Sequence, residues 1–160
     1  MRILMLTNDS IIHPNGGMGV LSHKIAIEMS KLGHHVDIIG LPTTSNDICD
    51  LTFDNYTWNP IFQTESRYVG EHQVIGTLIN QCGYVAKAIK LPKPDIIHAL
   101  DAGTAIAAEN LSKIYGIKWI FSIQLSVNLM FKDMGMNLLT TEYGVLLDAI
   151  EQTAVQNCSA

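Results

Sequence analysis

Charge is what this sequence has least of. Only 16% of its 160 residues are charged and 48% are hydrophobic, where a typical soluble chain carries about 25% charged residues. Lys and Arg number 10, scattered without a run, against 15 Asp and Glu, for a formal net charge of -5. That balance excludes the phosphate-neutralising surface of a non-specific nucleic-acid binder. Low charge with average hydrophobicity also excludes a disordered chain. Cysteine is sparse too. Cys49, Cys82 and Cys158 are odd in number and far apart, which fits neither a disulfide framework nor a zinc site and predicts reduced thiols packed as small hydrophobes. No apolar stretch approaches the about 18 residues of a membrane span. The run Ile3-Leu4-Met5-Leu6 is too short for a signal peptide's apolar core. These absences predict a cytoplasmic protein without peripheral membrane contact, and 160 residues suit one domain with a sizeable core.

What is present is an alternation. Ile3 to Leu6 is a continuous apolar run closed by Thr7-Asn8-Asp9-Ser10, the mark of a buried parallel strand. After a loop holding Pro14 and Asn15-Gly16-Gly17-Met18-Gly19, the residues Met18, Leu21, Ile25, Met29 and Leu32 keep helical spacing, with Gly33 placed as a C′ glycine. Val36 to Leu41 reads as a second strand. Pro42 to His72 is polar and broken, with a short strand expected near Ile61-Phe62-Gln63. A helix from Val74 to Ile89 ends before Pro92 and Pro94; Asp95 to Leu100 is a strand, Ala102 to Tyr115 a helix stopped by Gly116, and Lys118 to Gln124 a strand. Thr140 or Thr141 caps a last helix, with Glu142 suited to its dipole. Such an order predicts an α/β fold: a doubly wound, Rossmann-like parallel sheet with helices on both faces.

In these sheets ligands sit where strand order reverses. In the usual order the first and fourth strands flank that point, so Asn15 to Gly19 should share a crevice with His98 through Gly103. Glycines opening a helix admit a ligand close to the backbone, and the free N–H groups there favour an anion. The plainer reading is a loop whose glycines merely turn the chain. The spacing is not G-x-G-x-x-G and no acidic residue ends the second strand, which argues against a dinucleotide site. No Walker phosphate loop or nucleophile elbow occurs. His98 reads first as a satisfied core histidine, and Asp101 as the N-cap of the following helix. His34 and His35 point to opposite faces, and no metal is expected.

Taken together, four segments resemble the N-terminal domain of GT-B glycosyltransferases, in particular glycosyltransferase family 4 and the glycogen/starch synthases. They are Met1 to Thr7 leading into Gly16-Gly17-Met18-Gly19-Val20; Leu32-Gly33-His34-His35-Val36; Lys93-Pro94-Asp95-Ile96-Ile97-His98-Ala99-Leu100-Asp101, similar to the family's K-P-D-I-I-H-A-H-D; and Tyr115-Gly116-Ile117 followed by Phe121-Ser122-Ile123-Gln124, similar to Y-G-I-P…F-T-I-H. Each is weak alone; together, in order, they span nearly the whole chain.

The resemblance implies the acceptor-side half of a two-domain retaining hexosyltransferase that moves a sugar from a nucleotide-sugar donor to a glycan or small-molecule acceptor and uses no cofactor. Residues 16–19 would approach the donor diphosphate, with Asn15, His98, Asp101 and Gln124 in the crevice and no catalytic residue singled out. It also implies that residues 1–160 stop before the domain's last strand, so that a C-terminal donor-binding domain or partner chain is needed for turnover. Two family histidines are replaced, one by Leu100 and one by Gln124. Leucine cannot hydrogen-bond a donor sugar, whereas glutamine can. The rival expectation is therefore a non-catalytic glycan- or partner-binding module, or half of a split enzyme. A nucleotide-sugar epimerase of the same architecture is a third. Self-association is left open.

Overall fold

The computed structural model describes residues 1–44, 47–61, 73–124 and 140–159, with 126, 129, 132, 133 and 135 between the last two segments. The elements are β1 (Arg2–Thr7), α1 (Gly17–Lys31), β2 (His35–Gly40), β3 (Leu51–Thr52), β4 (Tyr56–Pro60), α2 (Gln73–Ala88), β5 (Ile96–Ala99), α3 (Ala102–Tyr115), β6 (Trp119–Phe121) and α4 (Glu142–Asn157). They build one six-stranded sheet in the order β3-β4-β2-β1-β5-β6. All neighbours pair in parallel except β3, which runs antiparallel to β4 at the outer edge.

β1 is central, and its alternation explains its unbroken apolar sequence. Leu4 and Leu6 pack into a core built with α2, α3 and α4, through Tyr84, Ala105, Leu111, Leu147 and Ile150. Ile3 and Met5 pack the other way, with Ala26 of α1, Val36, Ile38 and the fully buried Trp58. A strand covered on both faces has no polar side to show. α1 lies close because Gly19, Ser22 and Ala26 form its buried stripe. Among the described helices, none is long and apolar enough to cross a membrane.

Helix boundaries follow the local signals. Gly33 and Gly116 take left-handed conformations after α1 and α3, with φ of +83° and +64°, where a side chain would strain the turn. Thr141 is the N-cap of α4, its Oγ1 accepting from Gly144 N at 3.0 Å.

The third parallel strand lies earlier than the sequence suggested. It is Tyr56–Pro60; Ile61 directly follows it, and Phe62 and Gln63 fall outside the described residues. Asn59 and Pro60, read as breakers, are accommodated by position. Asn59 is buried, and its Nδ2 donates to Ile38 O at 3.3 Å and Thr57 Oγ1 at 2.7 Å. Pro60 ends the strand, where its missing N–H is tolerated. Cys49 and Cys82 are also a departure: both are exposed rather than packed, and all three thiols are free. Cys82 follows the exposed Ile75, Leu78 and Ile79 on the outer side of α2.

The chain builds outward from β1 to β2 and β4, then crosses back to β5 and β6. The reversal point is therefore between β1 and β5, as the usual doubly wound order predicts.

Candidate functional site

A crevice of about 440 Å³ opens at that point, at the carboxyl ends of β1, β5 and β6. The loop after β1 contributes Asn8 and Asp9, and the glycine loop Asn15, Gly16 and Met18. The end of β5 and the start of α3 contribute Leu100 to Gly103, the segment after β6 Phe121 to Gln124, and α4 Tyr143, Leu147 and Glu151. Asn15, Gly16, Met18, Asp101 and Gln124, all expected in the crevice, line it. Gly17, Gly19 and His98 do not.

The glycine loop is held by a residue the sequence reading passed over. Asp9 Oδ1 accepts from the amides of Ser10 at 2.9 Å and Asn15 at 3.0 Å; its Oδ2 accepts from Gly16 at 3.2 Å and Gly19 at 3.0 Å. The carboxylate occupies the head of α1, the position where an outside anion would bind. The Gly19 amide is thus engaged from within. Gly17 and Met18, the first two helical positions, keep amides without an acceptor among the described residues.

Gly19 itself is required by contact rather than by backbone angle. A Cβ there would overlap the Ser10 carbonyl oxygen and stand 2.7 Å from Pro14 Cβ and 2.9 Å from Asp9 Oδ2. Gly19→Ala is expected to lower stability by about 1–2 kcal/mol and to loosen the Asp9 clamp. Urea unfolding together with the amide chemical shifts of Asn15 and Gly16 checks both. Gly17, whose added Cβ would meet nothing within 4 Å, is the control: Gly17→Ala should leave the clamp intact.

Asp101 stands at the N-cap position of α3 but does not cap it with its side chain. Its Oδ2 accepts from the Asn8 amide at 2.9 Å, tying the β5 end to the β1 loop. Its Oδ1 is buried and has no hydrogen-bond partner. Burial pushes its pKa up to about 6, the Asn8 amide working against the rise. The Gly103 amide and the hydroxyl and amide of Thr104, all close to the carboxylate, limit the shift further.

His98 lies within β5, with its Nε2 hydrogen-bonded to Ser122 Oγ at 2.7 Å. Burial pulls its pKa down to about 4, so it is neutral at pH 7. It touches the crevice only through Ser122, which lines it. Leu100 is fully buried in the α1-side core and also lines the crevice.

Two α2 side chains brace this end of the sheet. Tyr84 is fully buried, and its hydroxyl donates to Thr7 O at 2.6 Å and Asn8 Oδ1 at 3.0 Å. Burial, with the Asp101 charge adding, pushes the phenol well above its ordinary range, so it remains a donor. Buried Gln81 donates through Nε2 to Gly103 O and accepts at Oε1 from Ala107 N at 2.8 Å, bridging an i, i+4 pair of the α3 backbone. Neither role had a sequence signal, because both residues sit inside an amphipathic pattern that also suits ordinary packing. Asp9 had one: the polar cluster Asn8-Asp9-Ser10 directly after a buried strand at the switch point. Tyr143 and Glu151 had none, since a helix more than 130 residues downstream of β1 reaches the crevice only through folding.

No protein-family model matches the chain, and no curated protein matches it in sequence. Solved structures do match. Sucrose-phosphate synthase from Thermosynechococcus elongatus superposes with a TM-score of 0.76 at 12% identity, over 99% of this chain and 41% of its own. MurG from Acinetobacter baumannii matches at 0.50 and 16% identity, over 75% of this chain and 34% of its own. The C-terminal domain of a Pyrococcus furiosus hydrogenase also reaches 0.50, at 11% identity. The chain therefore has the Rossmann-like fold of GT-B glycosyltransferase domains. It spans less than half the length of the synthase.

Proposed function

We propose that this chain is the acceptor-side domain of a glycosyltransferase that moves a hexose from a nucleotide-sugar donor to an acceptor with retention of configuration. The observation that carries the reading is the crevice at the β1/β5 switch point, with a glycine loop on one wall and polar groups from β5, β6 and α4 on the other. The overlay of 99% of this chain on part of a sucrose-phosphate synthase supports it. The donor diphosphate would meet the Gly17 and Met18 amides at the head of α1, where oriented N–H groups stabilise the charge that develops as the sugar leaves. Asp9 would hold those amides in place, Gln124 would meet a sugar hydroxyl, and Asn15 would sit at the mouth. Turnover would need a donor-binding domain, in the same chain or another, working in the cytoplasm.

Saturation-transfer NMR with UDP, ADP, GDP and a panel of oligosaccharides tests the reading. Oligosaccharide binding without any nucleotide is the expected result, and binding of neither class would sink it. Transfer by residues 1–160 alone would remove the need for a second domain. One observation favours a second reading, a non-catalytic glycan-binding module: Leu100 puts a fully buried apolar side chain where the family places a polar one. In that case glycans bind but no transfer follows when a donor domain is supplied.

A further inference from the structure

We propose that the outer face of α2 docks a second copy of this chain, in a self-complementary contact about a two-fold axis at Cys82. This surface is separate from the crevice, whose described lining includes no α2 residue, so the inference does not rest on the glycosyl-transfer reading.

α2 presents an apolar stripe to water. Its exposed described residues are Ile75, Leu78, Ile79, Cys82 and Ala86, and Ile89 continues the row just past the helix end. Their spacing is i, i+3, i+4, i+7, i+11 and i+14, which is one face of a helix over about four turns. A helix face that meets only water normally carries polar or charged side chains. Here Ile75, Leu78 and Ile79 are 52%, 46% and 42% exposed. Between Gln73 and Pro94 the sequence has no Asp or Glu, in a chain whose net charge is -5. Two copies meeting at this face bring little of their mutual repulsion with them.

The stripe is uneven in a way that matches itself. Its first half carries the large side chains Ile75, Leu78 and Ile79. Beside its second half lies a cavity of about 430 Å³ lined by Pro42, Ile48, Pro60, Ile61, Gly83 and Ala86, together with Lys87 and Lys90. Two antiparallel copies of α2, related by an axis at Cys82, set Leu78 opposite Ala86 of the other copy and Ile75 opposite its Ile89. The large side chains of each copy then fill the cavity of the other, and the exchange is reciprocal, as a two-fold contact requires. A helix of another protein or a lipid surface need not carry this alternation. Lys87 is matched by Asp50, its Nζ 2.5 Å from Oδ1. Lys90 is exposed, so its stem can lie along the apolar edge while the ammonium stays in water. The helix is about 24 Å long and about 10 Å wide, which places the contact at the low end of specific interfaces, roughly 1,000 Å² in total. The dimer is therefore weak and concentration-dependent.

The test is sedimentation velocity of the full chain at concentrations from about 10 µM to about 1 mM. A monomer at the low end and a dimer as the main species at the high end is the expected result. Leu78→Glu and Ala86→Glu, both at exposed positions, should each weaken association about tenfold or more without lowering the melting temperature. In a Cys49→Ser, Cys158→Ser background, a short bismaleimide should join two copies through Cys82. In a Cys82→Ser, Cys158→Ser background, the exposed Cys49 should give no such product. A chain that stays monomeric at about 1 mM overturns the proposal, and growth beyond a dimer overturns the two-fold contact. Dimerisation that survives both Glu variants overturns the assignment to α2, and a dimer that yields no Cys82 product overturns the axis. A monomer whose α2 amides shift on phosphatidylglycerol vesicles gives this face to a lipid surface and overturns the second copy.

Discussion

Asp101→Asn is expected to stabilise the protein by about 2 kcal/mol at pH 8. The carboxyl ionises at about 6 when folded, against an ordinary value of 3.8. Above pH 6 both states are ionised, and folding carries the full cost of a buried carboxylate, about 3 kcal/mol from the shift. As pH falls from 6 toward 3.8, the folded state takes up its proton first and that cost disappears. Asparagine never carries it, but it gives the Asn8 amide a weaker, neutral acceptor, which returns about 1 kcal/mol. The variant's advantage should therefore be largest at pH 8 and nearly gone by pH 4. Urea midpoints at the two pH values measure it, and an advantage independent of pH would refute the buried-charge account.

His98→Gln should act in the opposite sense with pH. The imidazole titrates at about 4 when folded, against 6.5 ordinarily. Because the folded value is depressed, the unfolded chain binds the proton first as pH falls through 6.5. Wild-type stability from this group is complete above that value and is lost by pH 4, a change of about 3 kcal/mol. Glutamine can keep a hydrogen bond to Ser122 but does not titrate. The variant should thus lose about 3 kcal/mol less than wild type between pH 7 and pH 4, whatever packing it sacrifices at neutral pH. Parallel stability curves for the two proteins would contradict the assignment. Between pH 4 and 6 the Asp101 and His98 contributions oppose each other, so the wild-type curve there conceals both and only the variants separate them. Asp47 adds nothing in that window. Burial works against its charge, but hydrogen bonds from Ser10, Thr43 and Thr44 hold its carboxyl down to about 2, so its contribution fades only below the ordinary carboxylate range.

The sequence by itself determined the class of fold and the location of the crevice. Apolar runs such as Ile3 to Leu6, stop signals such as Gly33 and Gly116, and the alternation of periods are local properties, and a parallel sheet with its switch point between the first and fourth parallel strands follows from them. Asn15, Gly16, Met18 and Asp101 were legible as crevice residues because topology alone carries strand ends and the loops after them to one place, whereas Gln124 was legible only through the resemblance. The third strand was not, since Asn59 and Pro60 look like breakers until β2 supplies the partner for one and the strand end excuses the other. Tertiary structure alone decided the chemistry of the crevice. Whether Asp9 faces solvent or clamps four amides depends on where the glycine loop returns. Whether Asp101 caps a helix through its side chain or leaves an oxygen unpartnered depends on the Asn8 amide, 93 residues away in sequence. Hydrogen-bond partners and desolvation are properties of three-dimensional neighbours, and no local pattern encodes them.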